Sequence, residues 1–305
     1  MVNLRGPIVA LLTPFDASGE IEWQAFKTYL SALFSWGVRA VIANGTTGEF
    51  PSMTLNERQK IVEFVRQKNF QGTIINNVSA TCVSDVRDLI AGTQGCADAV
   101  LLLPPYYYSA CRNDGLCRFF VSTLSGTSLP AMLYNFPQHT GNRLNADLVA
   151  MLLDKGIAVQ GIKDSSGDTD NAMVYKSNFP KVKIFLGNDT KVLEVLQKGL
   201  SGSVTGGANP LPELLIAMQT DFQLSGDKAH SLQRCLDVWN EFREASGYFE
   251  IPLVKVAMGA RIADFPLHVR APFTPVPAEE IDRIKTIVIC AQENIKNNKY
   301  KFLKD

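Results

Sequence analysis

A lysine inside an apolar run poses the first chemical question. Val159 to Lys163 reads as a buried strand that ends in Gly161-Ile162-Lys163-Asp164-Ser165-Ser166. An ammonium is costly to bury, and burial favours the free amine. A free amine attacks a ketone and forms an imine. The competing reading is a lysine that snorkels to solvent or pairs with Asp164. Tyr134, at the end of another apolar run in Tyr134-Asn135-Phe136-Pro137, has a hydroxyl that both donates and accepts a proton. It suits proton transfer near a reacting carbon, or else is a core tyrosine with a satisfied hydroxyl.

Three more segments stand where strands end. Asn44-Gly45-Thr46-Thr47-Gly48-Glu49 places paired hydroxyls between glycines, a turn that can aim N–H groups and hydroxyls at a carboxylate or serve as an ordinary turn. Pro104-Pro105-Tyr106-Tyr107-Tyr108 is a stiff aromatic loop, suited to packing or to a proton relay. Gly202-Ser203-Val204-Thr205-Gly206-Gly207-Ala208-Asn209 is rich in small residues. Such loops bind phosphate in some barrels or leave room for a substrate near the backbone. No basic residue lies within 202–209, which weakens the phosphate reading.

The elements that must position these residues alternate along the chain. Strands are predicted at 7–14, 40–43, 73–78, 97–103, 131–134, 159–163, 184–186 and 203–205. Helices are predicted at 21–36, 55–67, 83–94, 113–125, 145–154, 170–178 and 189–199, with Thr54 and Glu57 spaced as an N-terminal capping box. Eight strands with helices between them predict an α/β fold, a (β/α)8 TIM barrel. A doubly wound open sheet is the alternative, because buried parallel strands look alike in both. The barrel, the catalytic part, is expected over 1–225. The strand pattern then stops, and 226–305 reads as a C-terminal helical region with helices at 228–246, 251–262 and 278–295.

The 305 residues are 46% hydrophobic, with 30 Lys+Arg against 30 Asp+Glu. That balance gives no electrostatic footprint for nucleic acid. No run reaches the roughly 18 to 20 apolar residues that span a bilayer, and the first fifteen residues read as a strand rather than a signal peptide. A soluble, cytoplasmic protein is expected. Cys82, Cys96, Cys111, Cys117, Cys235 and Cys290 form no CxxC pair, and the histidines are His139, His230 and His268. Reduced thiols are expected, and no metal site.

Together these segments resemble the dihydrodipicolinate synthase/N-acetylneuraminate lyase family of class I pyruvate-dependent aldolases. The matching pieces are GTTGE at 45–49, PYY at 105–107, YNFP at 134–137, GIKD at 161–164 and the glycine-rich stretch 202–209, in the family's order and over essentially the whole chain. The resemblance implies chemistry without a metal or organic cofactor and a homotetramer built from dimers. It implies that Lys163 forms the Schiff base and Tyr134 transfers the proton. Thr46 would link Tyr134 to Tyr107, which reaches in from a neighbouring subunit. Thr47 and Gly48 would hold the substrate carboxylate, and the Val204 carbonyl would line the pyruvate end.

Synthases of this family commonly carry an arginine where this chain has His139, and histidine cannot form the planar bidentate pair. The PPYYY run, Gly187-Asn188-Asp189-Thr190 and Gly202-Ser203-Val204 look like the 2-keto-3-deoxygluconate aldolase branch. There Ser165 and Asp189 would meet substrate hydroxyls, although Asp189 also has the position of a helix cap. A 2-keto-3-deoxy sugar-acid aldolase, working on pyruvate and a small aldehyde, is therefore expected first and dihydrodipicolinate synthase second. N-acetylneuraminate lyase, 4-hydroxy-2-oxoglutarate aldolase and a non-catalytic 2-oxo-acid sensor stay open.

Overall fold

The computed structural model describes residues 4–67, 70–224 and 228–296. Eight parallel strands, β1 (Ile8–Ala10), β2 (Ala40–Ala43), β3 (Thr73–Asn77), β4 (Ala99–Leu102), β5 (Ala131–Asn135), β6 (Val159–Asp164), β7 (Lys183–Leu186) and β8 (Gly202–Thr205), follow one another around a ring. Pairing of β1 with β8 closes the barrel. The open sheet considered from sequence is thereby excluded.

Around the barrel lie α1 (Trp23–Ser35), α2 (Leu55–Gln67), α3 (Val83–Thr93), α4 (Asn113–Leu124), the single turn α5 (Pro137–Thr140), α6 (Ala146–Asp154), α7 (Thr169–Asn178), α8 (Val192–Gln197) and α9 (Pro212–Leu224). Three helices come afterwards: α10 (Ala229–Ala245), α11 (Glu250–Gly259) and α12 (Ala278–Lys296). The boundary expected near residue 225 falls outside the described residues.

Strand alternation sorts the core. In β5, Met132 and Tyr134 join the cluster inside the barrel with Ile42, Leu101, Phe185 and Val204. Leu133 points the other way, into the layer shared with the helices. Helix starts follow the capping residues. Thr54 and Glu57 form the predicted reciprocal box, Glu57 N donating to Thr54 Oγ1 at 3.2 Å and Thr54 N donating to Glu57 Oε2 at 2.8 Å.

The sequence reading differs from the structure at four places. Strand β1 stops at Ala10 rather than residue 14, and Leu12 N donates instead to the hydroxyl of buried Tyr29 at 3.3 Å. The helix expected over 189–199 is a 3₁₀ turn, Asp189–Lys191, followed by α8. Residues 137–140, assigned to no element from the sequence, form α5. Helix α9 was not delimited at all. No described helix is long and apolar enough to cross a membrane.

The C-terminal helices are latched to the barrel mouth. Arg270 donates to the carbonyls of Gly19 and Ser52 and pairs with Glu57, while its own N–H donates to Glu49 Oε2 at 2.9 Å. Helix α10 packs against α9 and α12, which brings residues near 240–250 over the ends of β7 and β8.

Candidate active site

Register sets the centre of the site. Tyr134 of β5 is the direct neighbour of Lys163 of β6, and Lys163 in turn neighbours Phe185 of β7. Equal parity puts Tyr134 and Lys163 in one layer at the C-terminal end of the barrel, where active sites of this architecture form. Lys163 is 6% exposed and Tyr134 2%. The Lys163 amine stands 4.0 Å over the Tyr134 ring.

One residue further along, Asn135 and Asp164 are also neighbours and face outward. The Asp164 carboxylate accepts from Asn135 Nδ2 at 3.1 Å, Ser166 N at 2.8 Å and Asn171 Nδ2 at 2.6 Å. Asp164 is thus spent on β5, α7 and the turn after β6. The snorkelling or Asp164-paired lysine weighed from sequence does not occur.

The turn after β2 supplies the hydroxyls. Asn44 and Glu49 bracket it in the left-handed region, at φ 57° and 63°. Side chains from β3 hold it in place, with Asn77 Nδ2 donating to the Asn44 carbonyl at 2.7 Å. Thr46 Oγ1 comes 3.5 Å from the Tyr134 hydroxyl. Thr47 sits against Gly206, where any Cβ would fall 2.2 Å from Thr47 Oγ1. The Gly48 carbonyl accepts from Thr13 Oγ1 at 2.8 Å. Val204 is buried in β8. The structure thus brings Lys163, Tyr134, Thr46 and Thr47 together.

Ser165 is close as well. A Cβ on Gly187 would lie 2.1 Å from Ser165 Oγ and 3.2 Å from Lys163 Cε, so the backbone of the β7 loop lies hard against both side chains. Tyr107 stays apart from Thr46 within the chain. It is 87% exposed at φ 84°, with its ring edge-on to Tyr108 at 5.3 Å. His139 rides on α5 with its ring stacked 3.9 Å from that of Phe136. Burial holds its imidazole below the ordinary histidine range, which favours the neutral ring. It shares with Thr46, Tyr248, Phe249 and Phe273 a cleft of about 620 Å³.

Asp189 does not cap the following turn. Asn188 does so, accepting from Thr190 N at 2.9 Å. Asp189 is held instead by Arg243, 3.1 Å away, and Arg243 also pairs with Glu250 at 2.5 Å. These residues line a basin of about 420 Å³ with Gly187, Asn188, Thr190, Gly206 and Tyr248. The Glu250 side chain remains 48% exposed. Burial pushes its carboxyl above the usual range, against the pull of Arg243.

Arg243, Tyr248 and Glu250 were not found from sequence. They belong to α10, the turn after it and the start of α11. No motif marks them, and they lie 34 to 41 residues beyond Asn209, the last residue of the glycine-rich stretch. They enter the site only because α10 packs against the barrel's last helices.

A closed eight-stranded barrel that carries a buried lysine beside a tyrosine hydroxyl at its mouth is the framework of an enzyme of the class I aldolase type. The chain belongs to the dihydrodipicolinate synthetase family, whose model matches residues 3–291. Among curated relatives, the 4-hydroxy-tetrahydrodipicolinate synthase of Staphylococcus haemolyticus is 32% identical over 250 residues, covering 79% of each chain. The 2-dehydro-3-deoxy-D-gluconate/2-dehydro-3-deoxy-phosphogluconate aldolase of Thermoproteus tenax is 28% identical over 297 residues, 95% of this chain and 92% of that one. In fold, the chain is similar to a prophage protein of the dihydrodipicolinic acid synthase family from E. coli K12, solved in complex with pyruvate. The TM-score is 0.87 at 23% identity, over 95% of this chain and 99% of that one.

Proposed function

We propose that this protein is a Schiff-base-forming lyase that reversibly cleaves a 2-keto-3-deoxy sugar acid to pyruvate and an aldehyde. The observation that carries the reading is the polar basin beside Lys163. Its Asn188, Asp189, Thr190 and Glu250 side chains offer donors and acceptors for a chain of substrate hydroxyls, which are costly to bury unpaired.

In this reading Lys163 Nζ attacks the 2-oxo carbon, and the carbonyl oxygen leaves as water to give an iminium. The C3–C4 bond then breaks, its electron pair flowing into the iminium to form an enamine. Tyr134, with Thr46 beside its hydroxyl, takes the proton from the C4 hydroxyl as the aldehyde forms and returns one to C3. Water then hydrolyses the iminium and releases pyruvate. Thr47 and Gly48 hold the substrate carboxylate, and the Val204 carbonyl borders the pyruvate methyl. Ser165 and Asp189 receive the hydroxyls, and His139 borders the entrance. Exposed Tyr107 fits a role completed by a second copy of the chain in a homotetramer, reaching that copy's Thr46.

Borohydride trapping with pyruvate, read by intact mass and peptide mapping, tests the centre of this reading. An adduct on Lys163 that disappears in Lys163→Ala is expected. A folded protein with no adduct refutes it. The likeness to the staphylococcal synthase favours a second reading, condensation of pyruvate with aspartate semialdehyde. Turnover of that aldehyde, with no cleavage of any keto-deoxy sugar acid, selects it over the first.

A further inference from the structure

The basin that receives the distal end of the substrate has an unusual charge arrangement. Among the described residues that line it, Arg243 is the one cation, set against the three carboxylates of Asp189, Glu244 and Glu250. Both Nη atoms of its guanidinium are turned to groups of the protein. One Nη donates to Asp189 Oδ2 at 3.1 Å and to Asn240 Oδ1 at 2.6 Å, and the other donates to Glu250 Oε2 at 2.5 Å.

The backbone fixes this arrangement from below. Gly207 has no side chain, and a Cβ there would lie 1.8 Å from an Arg243 Nη and 2.5 Å from Asp189 Oδ2. The ion pair therefore rests directly on the loop after β8. Trp239 pins that loop by donating its indole N–H to the Gly207 carbonyl at 2.8 Å. The same loop was a candidate phosphate cradle by sequence. Its open face is occupied by Thr47, Arg243 and two carboxylates instead.

A phosphate entering here would meet carboxylates, with both Nη atoms of the single guanidinium already engaged. Discrimination by an unfavourable charge is a general route to specificity. A neutral hydroxylated tail meets no such penalty, because carboxylates accept from hydroxyls.

Resting on the sugar-acid reading, we infer that Glu250 and the Asp189–Arg243 pair form a charge screen that admits a neutral hydroxylated aldehyde and rejects one ending in phosphate. The Thermoproteus tenax relative bears a name that includes both the neutral and the phosphorylated acid. This chain is assigned to the neutral acid alone, with Glu250 as the specificity-determining residue.

The test runs in the condensing direction, with pyruvate and either glyceraldehyde or glyceraldehyde 3-phosphate, on the full chain. The wild-type protein is expected to prefer glyceraldehyde in kcat/KM by at least about 100-fold, and Glu250→Gln to narrow that preference by about tenfold or more. The half-exposed, isosteric change leaves the pyruvate adduct on Lys163 as an independent check of the folded site. Equal use of the two aldehydes overturns the screen and leaves the sugar-acid reading standing. An unchanged preference in Glu250→Gln overturns the role of Glu250. Reaction with neither aldehyde, while pyruvate is still trapped on Lys163, overturns the sugar-acid reading and the screen with it.

Discussion

The amine of Lys255 lies 2.6 Å from Glu49 Oε1, and neither side chain is reached by solvent. The pair joins α11 to the turn that carries Thr46 and Thr47, and Lys255 also donates to the His268 carbonyl at 2.6 Å. Removing one member of such a pair strands a buried charge. Lys255→Met is expected to cost about 3–5 kcal/mol. The double variant Lys255→Met/Glu49→Gln should recover most of that loss. Urea unfolding of the single and double variants measures it, and equal losses in both would show that the pair is not what holds the turn.

Tyr134→Phe separates imine formation from proton transfer. The hydroxyl 3.5 Å from Thr46 Oγ1 is lost, while the ring under the Lys163 amine stays. Turnover should fall by about 10²–10⁴, with pyruvate still trapped on Lys163. Full turnover in this variant would remove Tyr134 from the proton path.

Gly187→Ala probes the packing behind the lysine. The new Cβ would press on Ser165 Oγ, 2.1 Å away, and on Lys163 Cε, 3.2 Å away. Slower adduct formation is expected, by about tenfold or more, because small displacements of a reacting group are costly. Stopped-time borohydride trapping reads the rate. A wild-type rate would mean that Ser165 and Lys163 relax without consequence.

The latch between Arg270 and Glu57 carries a pH signature. The Arg270 guanidinium, its largest cause, pulls the Glu57 carboxyl down to about 2 from 4.5. A carboxyl lowered on folding stabilises the native state above its unfolded value, and that contribution disappears as pH falls from 4.5 toward 2. Wild type should exceed Glu57→Gln by about 1–3 kcal/mol near neutral pH, and the gap should close across that acid range. A gap independent of pH would mean that the charge on Glu57 contributes nothing.

Much of the site was legible before any fold was known. Lys163 and Tyr134 stood out because a polar residue at the end of an apolar strand is expensive unless it has work to do, and Thr46 and Thr47 because glycines flank them. The eight-unit rhythm was legible because β-branched runs and amphipathic helices have different periods. Asp189 was noticed, but its partner was not. A cap and an ion-pair member look identical in sequence, since both need only an aspartate at the start of a turn.

The sequence by itself determined the alternation of eight strands with helices and the placing of Lys163 and Tyr134 at the ends of buried strands, because local periodicity and strand parity decide which way each of those side chains points. Only the tertiary structure decided that the barrel closes, through the pairing of β1 with β8. It alone placed Arg243 and Glu250 against Asp189 and set Lys255 against Glu49. Those contacts join segments far apart in the chain. They arise from how α10 and α11 dock on the barrel, and no local pattern of residues encodes the docking of one surface on another.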